Sequence, residues 1–323
     1  MKKTLTVILI VALTLVVGGG IILLVGLGLS GWSFQDISNV TVEEKTFTET
    51  TDEPISSLRV SFDNAKISVL FDEDASSVRV EYPLLFNKNG KALNEVKIEQ
   101  ANEHIDIIEK TFWYANIRLI SFTTLEVRVT LPQSRIYSLS IETNNGQIDV
   151  DGNGSATSIS LKTKNGQIDT TGATLTCQKD IYLNTSNGKL ALGGFSAINL
   201  YAETDNGEIC FTDGVATGKI EGSTDNGRLV VSGELTAQTI SFELDNGDIA
   251  AKSGLLRAEN IVLETDVGAI RARVSGNQTD YTISVDKDLG NSNVTSQPGG
   301  SKRLTVSCDI GDIDILFDGI AAH

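Results

Sequence analysis

Histidine, cysteine, aromatic and net basic character are all scarce in this 323-residue chain. There are two histidines, His104 and His323, far apart in sequence. That leaves little for imidazole-based catalysis or metal ligation, and no Gly-x-Ser-x-Gly, His-Glu-x-x-His or phosphate-loop motif is present. The three cysteines, Cys177, Cys210 and Cys308, include no Cys-x-x-Cys pair and an odd number cannot all be bridged. Aromatic residues make up 6% of the chain, against 30 glycines, a composition that suits many thin strands better than a thick globular core. The first thirty residues hold Lys2 and Lys3 and no acid, so the remainder carries 24 − 42 = −18 charges. A nucleic-acid partner is excluded on that balance, because phosphate binding needs a basic patch. A cationic peptide, another surface protein, a cell-wall component or a divalent cation suits such a surface, and acid also keeps an exported protein soluble.

What the chain has in abundance is one repeated unit, typified by Thr143-Asn144-Asn145-Gly146-Gln147-Ile148. Gly146, Gly166, Gly188, Gly207, Gly227, Gly247, Gly268, Gly290 and Gly311 follow one another at steps of 19 to 22 residues. A fixed period in this range marks a solenoid or repeat array. Seven residues before each glycine stand Leu139, Ile159, Ile181, Leu200, Ile220, Ile240, Ile261, Ile283 and Leu304. Two after it stand Ile148, Ile168, Leu190, Ile209, Leu229, Ile249, Ile270, Ser292 and Ile313. Apolar and polar residues alternate on both sides of the turn, so each copy supplies two short strands with one face buried.

Asn-Gly between alternating strands is also a hairpin signal. Two observations favour a stack over a meander. A two-residue hairpin would set Asp205 opposite Glu208, Asp245 opposite Asp248 and Asp309 opposite Asp312, like charges face to face. The columns also change in blocks. The residue before each glycine is Asn145, Asn165, Asn187, Asn206, Asn226 and Asn246, then Val267, Leu289 and Ile310. Blocks are expected where each residue touches its counterpart one coil away and stacked amides bond in a ladder. The expected fold is therefore all-β: a parallel β-solenoid of about nine coils over residues 138–318. Asn145, Gly146, Asn165, Gly166, Asn187, Gly188, Asn206, Gly207, Asn226, Gly227, Asn246 and Gly247 form its turn ladder.

Residues 55–137 read as a β-rich N-terminal cap, with turns at Asn87–Gly90 and Ala101–Glu103. Within it, Leu58 to Val69 is a degenerate copy carrying Ala65 in place of glycine, and a turn of different shape is expected there. Phe112-Trp113-Tyr114 reads as an aromatic plug of the solenoid end, or as a sugar- or membrane-contacting patch. Residues 31–54 read as a linker with a short strand near Val40–Val42. Residues 1–30 read as an uncleaved transmembrane anchor: Leu5 to Leu29 is a 25-residue run without charge, with Trp32 and Phe34 at its outer boundary. The preceding lysines place the N-terminus in the cytoplasm and the rest outside, as a single-pass protein of the cell membrane.

Two residues before the glycine, six successive copies carry Asp205, Asp225, Asp245, Asp266, Asp288 and Asp309. Stacked carboxylates roughly 5 Å apart repel one another. Either each accepts backbone N–H bonds in an Asx-turn, the preferred reading, or the row holds an oxygen-seeking cation such as Ca²⁺. No cofactor is otherwise expected. Cys308 is placed inward and Cys210 outward, five coils apart and on the order of 24 Å, too far for a disulfide.

The Leu-x-Ile-x-Thr-x-Asn-Gly-x-Ile units, the copy at Leu58–Val69, the strand ending Leu131-Pro132 and the anchor together resemble the bacterial "putative adhesin" family of repetitive β domains. The likeness covers about residues 55–318. It implies an exported bacterial surface protein, often behind one transmembrane helix and near envelope-stress genes, and it supplies no catalytic residues. The functional expectation is a non-catalytic binding or adhesion module. A ligand-free spacer is the alternative, and a glycan-active β-helix enzyme a more distant one.

Overall fold

The computed structural model describes residues 40–49, 55–112 and 125–319. The apolar run Leu5–Leu29, the aromatics Trp32, Phe34, Trp113 and Tyr114, and His323 lie outside them. Among the described residues no helix is long and apolar enough to cross a membrane.

The chain divides into two compact units. The smaller includes residues 83–95 and 111–112 and holds a tight hairpin. There the Asn87 side chain accepts bonds from the backbone N–H of Asn89 (3.0 Å) and Lys91 (2.9 Å), fixing the turn that ends at Gly90. The larger unit, which among the described residues takes in 44–49, 55–82, 96–110 and 125–319, holds the repeats.

The repeats form a parallel β-solenoid. Strands before and after each glycine do not pair with each other as a hairpin would. Each pairs in parallel with its counterpart one coil away: Leu200 faces Ile220, Ile220 faces Ile240, and Ile209 faces Leu229. Alternate residues turn inward to one continuous core, with Ile159, Ile181, Leu200, Ile220, Ile240, Ile261 and Leu304 almost wholly buried. Gly222 is small because the aromatic side chains need the space. A Cβ there would press on Leu229, Phe211 and Phe242, whose phenyl rings stack at 5.7 Å.

Each coil has a third side that the two-strand reading omits. Short strands such as Gly194–Ala197, Gly214–Ala216 and Glu234–Thr236 pair in parallel in turn. Along this side runs a buried column of small residues, Ala156, Cys177, Ala197, Ala216, Ala237 and Ala258. Small side chains with no strong strand preference leave little trace of this side in the alternation pattern.

The order of the coils also departs from the order of the sequence. Strand Asn260–Val267 pairs with Lys302–Ile310, which in turn pairs with Tyr281–Leu289. The Gly311 coil is thus inserted between those of Gly268 and Gly290. The stack has eight full turns rather than nine, because the Gly290 copy has a strand only on its near side. Ser292 explains this: it stands where every other copy has Ile or Leu to drive a second inward strand, and it makes only an isolated bridge to Ile313. The following segment folds back instead, and Gln297 exchanges two 2.9 Å backbone bonds with Ile283 on the outer strand. An open solenoid edge is thereby covered by its own chain.

At the other end, strand Ser57–Phe62 lies between His104–Thr111 and Ile136–Asn145, and Lys66–Asp72 lies between Glu126–Pro132 and Ile148–Asn165. The Ala65 copy therefore joins the stack in register. Strand Arg79–Asn87 runs antiparallel to Glu126–Pro132 and ends the parallel array. Strand Val40–Thr48, longer than the expected Val40–Val42, leads to Glu49. The Glu49 carboxylate is buried against the Arg135 guanidinium at 2.8 and 3.0 Å and also accepts Val78 N–H at 3.0 Å. A charge taken from water this completely persists only when paired and hydrogen-bonded, and here it ties three distant segments together.

The glycine column is governed by distance. Only Gly247, Gly268, Gly290 and Gly311 of the column have φ in the left-handed range, at 128° to 156°. What all members share is contact with the neighbouring coil. A Cβ on Gly166 would stand 1.9 Å from the carbonyl oxygen of Gly146, and one on Gly207 would stand 1.8 Å from that of Gly188. Ala65 begins the column, where no Asn-Gly turn lies beyond it, and there a methyl group is accommodated. Accordingly, Gly207→Ala should destabilise the solenoid by about 3 kcal/mol or more, as a forced backbone clash does, whereas Ala65→Gly should cost about 1 kcal/mol or less. Denaturant melts of the two variants against the parent protein check this, and equal effects would contradict it.

Candidate functional site

Three columns meet at the Asn-Gly corner, and they differ in what they leave for a ligand. The outermost is the asparagine ladder. Asn145 donates to the Asn64 side-chain oxygen at 2.8 Å, and Asn165 to Asn145, Asn187 to Asn165, Asn206 to Asn187, Asn226 to Asn206 and Asn246 to Asn226 follow at 2.8 to 3.3 Å. From Asn145 to Asn226 each amide uses one donor and one acceptor on its neighbours, and Asn246 ends the row as a donor only. The ladder ends where Val267, Ile310 and Leu289 take over, in that spatial order.

Inside the corner runs a column that the sequence reading did not single out. Three residues before six of the nine glycines, Thr143, Thr163, Thr185, Thr204, Thr224 and Thr265 are buried, and before Gly247 the place is taken by buried Leu244. Each hydroxyl donates to the carbonyl of the preceding turn, Thr143 to Ala65 and the rest to Gly146, Gly166, Gly188, Gly207 and Gly247, at 2.9 to 3.4 Å. Those carbonyls are the oxygens that approach the glycines so closely. Cys308 occupies the equivalent place and its thiol lies 3.2 Å from the Gly268 carbonyl. The recurrence of threonine at one offset was the available signal. These two columns, with the glycines between them, are engaged in holding coil to coil.

The aspartates are not so engaged. Asp205, Asp225, Asp245, Asp266, Asp309 and Asp288 lie on successive coils and are all exposed. None of these six carboxylates accepts a hydrogen bond or forms an ion pair among the described residues, so the expected Asx-turn bonds are not formed. Nor do three His, Cys, Asp or Glu side chains gather as a metal site requires among the described residues. The six run side by side as a solvated acidic strip.

On the far side of the turn, acids are mostly paired. Lys66 meets Asp149 at 2.7 Å and Lys189 meets Glu208 at 2.9 Å. The Cys210 thiol donates to the same Glu208 carboxylate at 3.0 Å. Burial, then the neighbouring Glu208, pushes the Cys210 thiol up to about 11. All three cysteines are free. Because the last coils are exchanged, Cys210 and Cys308 are four coil steps apart rather than five, still well beyond disulfide reach. His104, at the other end, is exposed and lies 3.0 Å from Asp106.

The outward face before the turn carries the remaining distinct feature, a pair of tyrosines. Tyr182 and Tyr201 stack with centroids 4.8 Å apart and planes within 6°. They border a surface hollow of 410 Å³ shared with Ser160, Lys162, Asn184 and Glu203.

With this geometry in place, comparison with known proteins decides the family. Residues 55–316 match the profile described as Toastrack DUF4097, which spans most of the chain. The chain belongs to the Toastrack family. A search of curated proteins finds no match. Similar solved structures include a putative adhesin from Parabacteroides merdae, 11% identical, covering 84% of this chain and 96% of that one with a TM-score of 0.43. Another, a putative adhesin from Bacteroides fragilis, is 14% identical over 85% of this chain and 97% of its own, with a TM-score of 0.40. A third, from Parabacteroides distasonis, is called a putative lipid binding protein; it is 12% identical and covers 85% of this chain and 97% of its own, with a TM-score of 0.37.

Two outcomes follow for this Toastrack domain. Converting Asp225 and Asp245 together to Asn removes repulsion without removing a hydrogen bond, so the melting temperature should rise by roughly 1–4 °C. Added Ca²⁺ should leave the parent melt unchanged. A fall on substitution would reveal turn bonds, and a calcium-dependent rise abolished by both changes would reveal a metal site. Separately, alkylation of Cys210 needs its thiolate. With the thiol pushed up to about 11, its iodoacetamide rate should climb roughly tenfold per pH unit between pH 8 and 10. A plateau near pH 9, measured by mass spectrometry of the labelled peptide, would be the contrary result.

Proposed function

We infer that this Toastrack protein is a non-catalytic binding module of the bacterial cell envelope whose acidic strip receives a basic partner. The observation that carries the reading is the unused strip. Asparagine, threonine, glycine and the aliphatic columns spend their bonding capacity on the neighbouring coil, while six stacked carboxylates spend none on the fold. Holding like charges in a row opposes folding, and a polycationic ligand relieves that opposition while gaining six evenly spaced ion pairs. Parallel pairing fixes the spacing at roughly 5 Å, which favours a peptide or protein segment with recurring lysine or arginine over a single ion.

Leu5–Leu29 supports placement of this module outside a membrane, with the N-terminus in the cytoplasm. In that arrangement a single-pass anchor holds the strip in reach of cell-wall components, cationic peptides and other surface proteins. A link to envelope stress fits a module that registers such peptides at the surface.

The test is binding of a lysine-rich synthetic peptide to the full chain in micelles. The parent protein should bind with an affinity that falls steeply with salt. A variant with Asp205, Asp225 and Asp245 changed to Asn should bind at least tenfold more weakly with an unchanged or higher melting temperature. Equal binding by parent and variant would remove the strip from the proposal.

A further inference from the structure

The tyrosine pair is unusual within its own column. Six residues before the glycine, successive coils carry Ser140, Ser160, Tyr182, Tyr201, Glu221 and Ser241, all on the outward side of the sheet. Parallel register puts Ser160 directly beside Tyr182 and Glu221 directly beside Tyr201. The two rings stand face to face, so one face of Tyr182 is covered by Tyr201 while the other looks over Ser160, whose side chain is far too short to cover it. Tyr182 is accordingly 43% exposed despite its stacking partner. The surface hollow borders this place: it is lined by both tyrosines together with Ser160, Lys162, Leu183, Asn184 and Glu203, a slot that reaches the uncovered side of Tyr182 at Ser160. The strip of acids at the corner and this slot are different sites.

The polar groups around the slot are ordered. Asn184 lies in register between Lys162 and Glu203, and its amide donates to the Glu203 carboxylate at 3.0 Å. That bond fixes both planar groups. It leaves the amide oxygen, a second amide hydrogen and further carboxylate lone pairs pointing to solvent. Lys162 adds a mobile cationic donor. A flat ring surface beside a few fixed planar donors and acceptors is the composition of a small-ligand site, and 410 Å³ falls within the range such sites occupy.

We propose that this slot binds a hexopyranose ring of a neutral glycan, laid against the open face of Tyr182 as the next member of the stack. The electron-rich ring face attracts the weakly positive C–H groups that line one side of an equatorially substituted pyranose. The hydroxyls at its rim take the Asn184 amide, the Glu203 carboxylate and the Lys162 ammonium. The surroundings oppose the other flat ligands. A nucleotide would bring phosphate against Glu203 and Asp180, on a surface whose overall balance is −18 outside the first thirty residues, where the Lys and Arg number 24 and the Asp and Glu 42. An aromatic side chain would leave the fixed polar rim unpaired, a cost that a ligand rich in hydroxyls avoids.

The decisive variant is Ser160→Tyr. It places a third ring in the slot, extending a stack that the fold already tolerates, and so removes the site without removing a contact. The full chain in a sugar-free detergent is titrated calorimetrically with cellohexaose and with chitohexaose. The parent protein should bind at least one of them. Ser160→Tyr and Tyr182→Ala should each weaken that binding at least tenfold, with Ser160→Tyr melting no lower than the parent. Binding of the lysine-rich peptide should be unchanged in Ser160→Tyr, which separates this proposal from the acidic strip. Failure of both oligosaccharides to bind, or binding indifferent to Ser160→Tyr, overturns it. So does parent self-association lost in Ser160→Tyr without any sugar effect, since the slot would then serve a second copy.

Discussion

The approach of one backbone to the next at the Asn-Gly corner is the constraint on which the rest of the structure depends. Each glycine in the column sits so close over its neighbour's carbonyl that no side chain of any size fits between them. That closeness lets the parallel hydrogen bonding pass around the corner, with Gly146 N–H donating to Asn165 O at 3.1 Å and Gly188 N–H to Asn206 O at 3.0 Å. A looser corner would interrupt the ladder in every coil. The asparagine and threonine columns flank the contact, one outside and one inside, and their spacing is the spacing the glycines impose.

A consequence is a division of labour among side chains. Inward residues make one apolar core, and the corner residues make two side-chain ladders, of asparagine and of threonine, that bond along the axis. Only side chains pointing outward from the flat faces, or standing beside the corner, are left to meet another molecule. Both surface features described above belong to this remainder. The acidic strip is long, regular and solvated. The tyrosine slot is local and depends on a single irregularity, a serine next to a tyrosine in one column. A repeat protein acquires a site by breaking its own pattern in places the fold does not need.

Much of this was legible in the sequence, because a solenoid turns contact into periodicity. The block change from Asn246 to Val267 marks a stack, and the structure has one. Other features were hidden for physical reasons. The third side of each coil is built on Ala156, Ala197, Ala216 and similar small residues, which carry no alternation strong enough to read. The glycine column was read as a demand on φ, when for most of its members it is a demand on space. The order of the last coils could not be read from periodicity at all, since copies that share the same columns stack equally well in either order. What separates them is local: Ile313 can pair inward beside Ile270 and Ser292 cannot, and Cys308 reaches the Gly268 carbonyl from a place where the Gly290 copy has Lys287. For the candidate site, the acids were visible but their lack of any bonding partner was not, and the tyrosines gained meaning only when register put Ser160 beside them.

The exchanged coils also bear on how the chain comes to be assembled. A growing chain emerges from its N-terminus, and each early coil can settle on the one before it as soon as it appears. The strand Tyr281–Leu289 cannot do so, because its place in the array is against Lys302–Ile310, which is made later. Until that segment has emerged, strand Asn260–Val267 offers an uncovered edge. Closure of this end therefore waits on Lys302–Ile310, and a chain halted before that segment would carry a body of settled coils with an adhesive, unsealed rim.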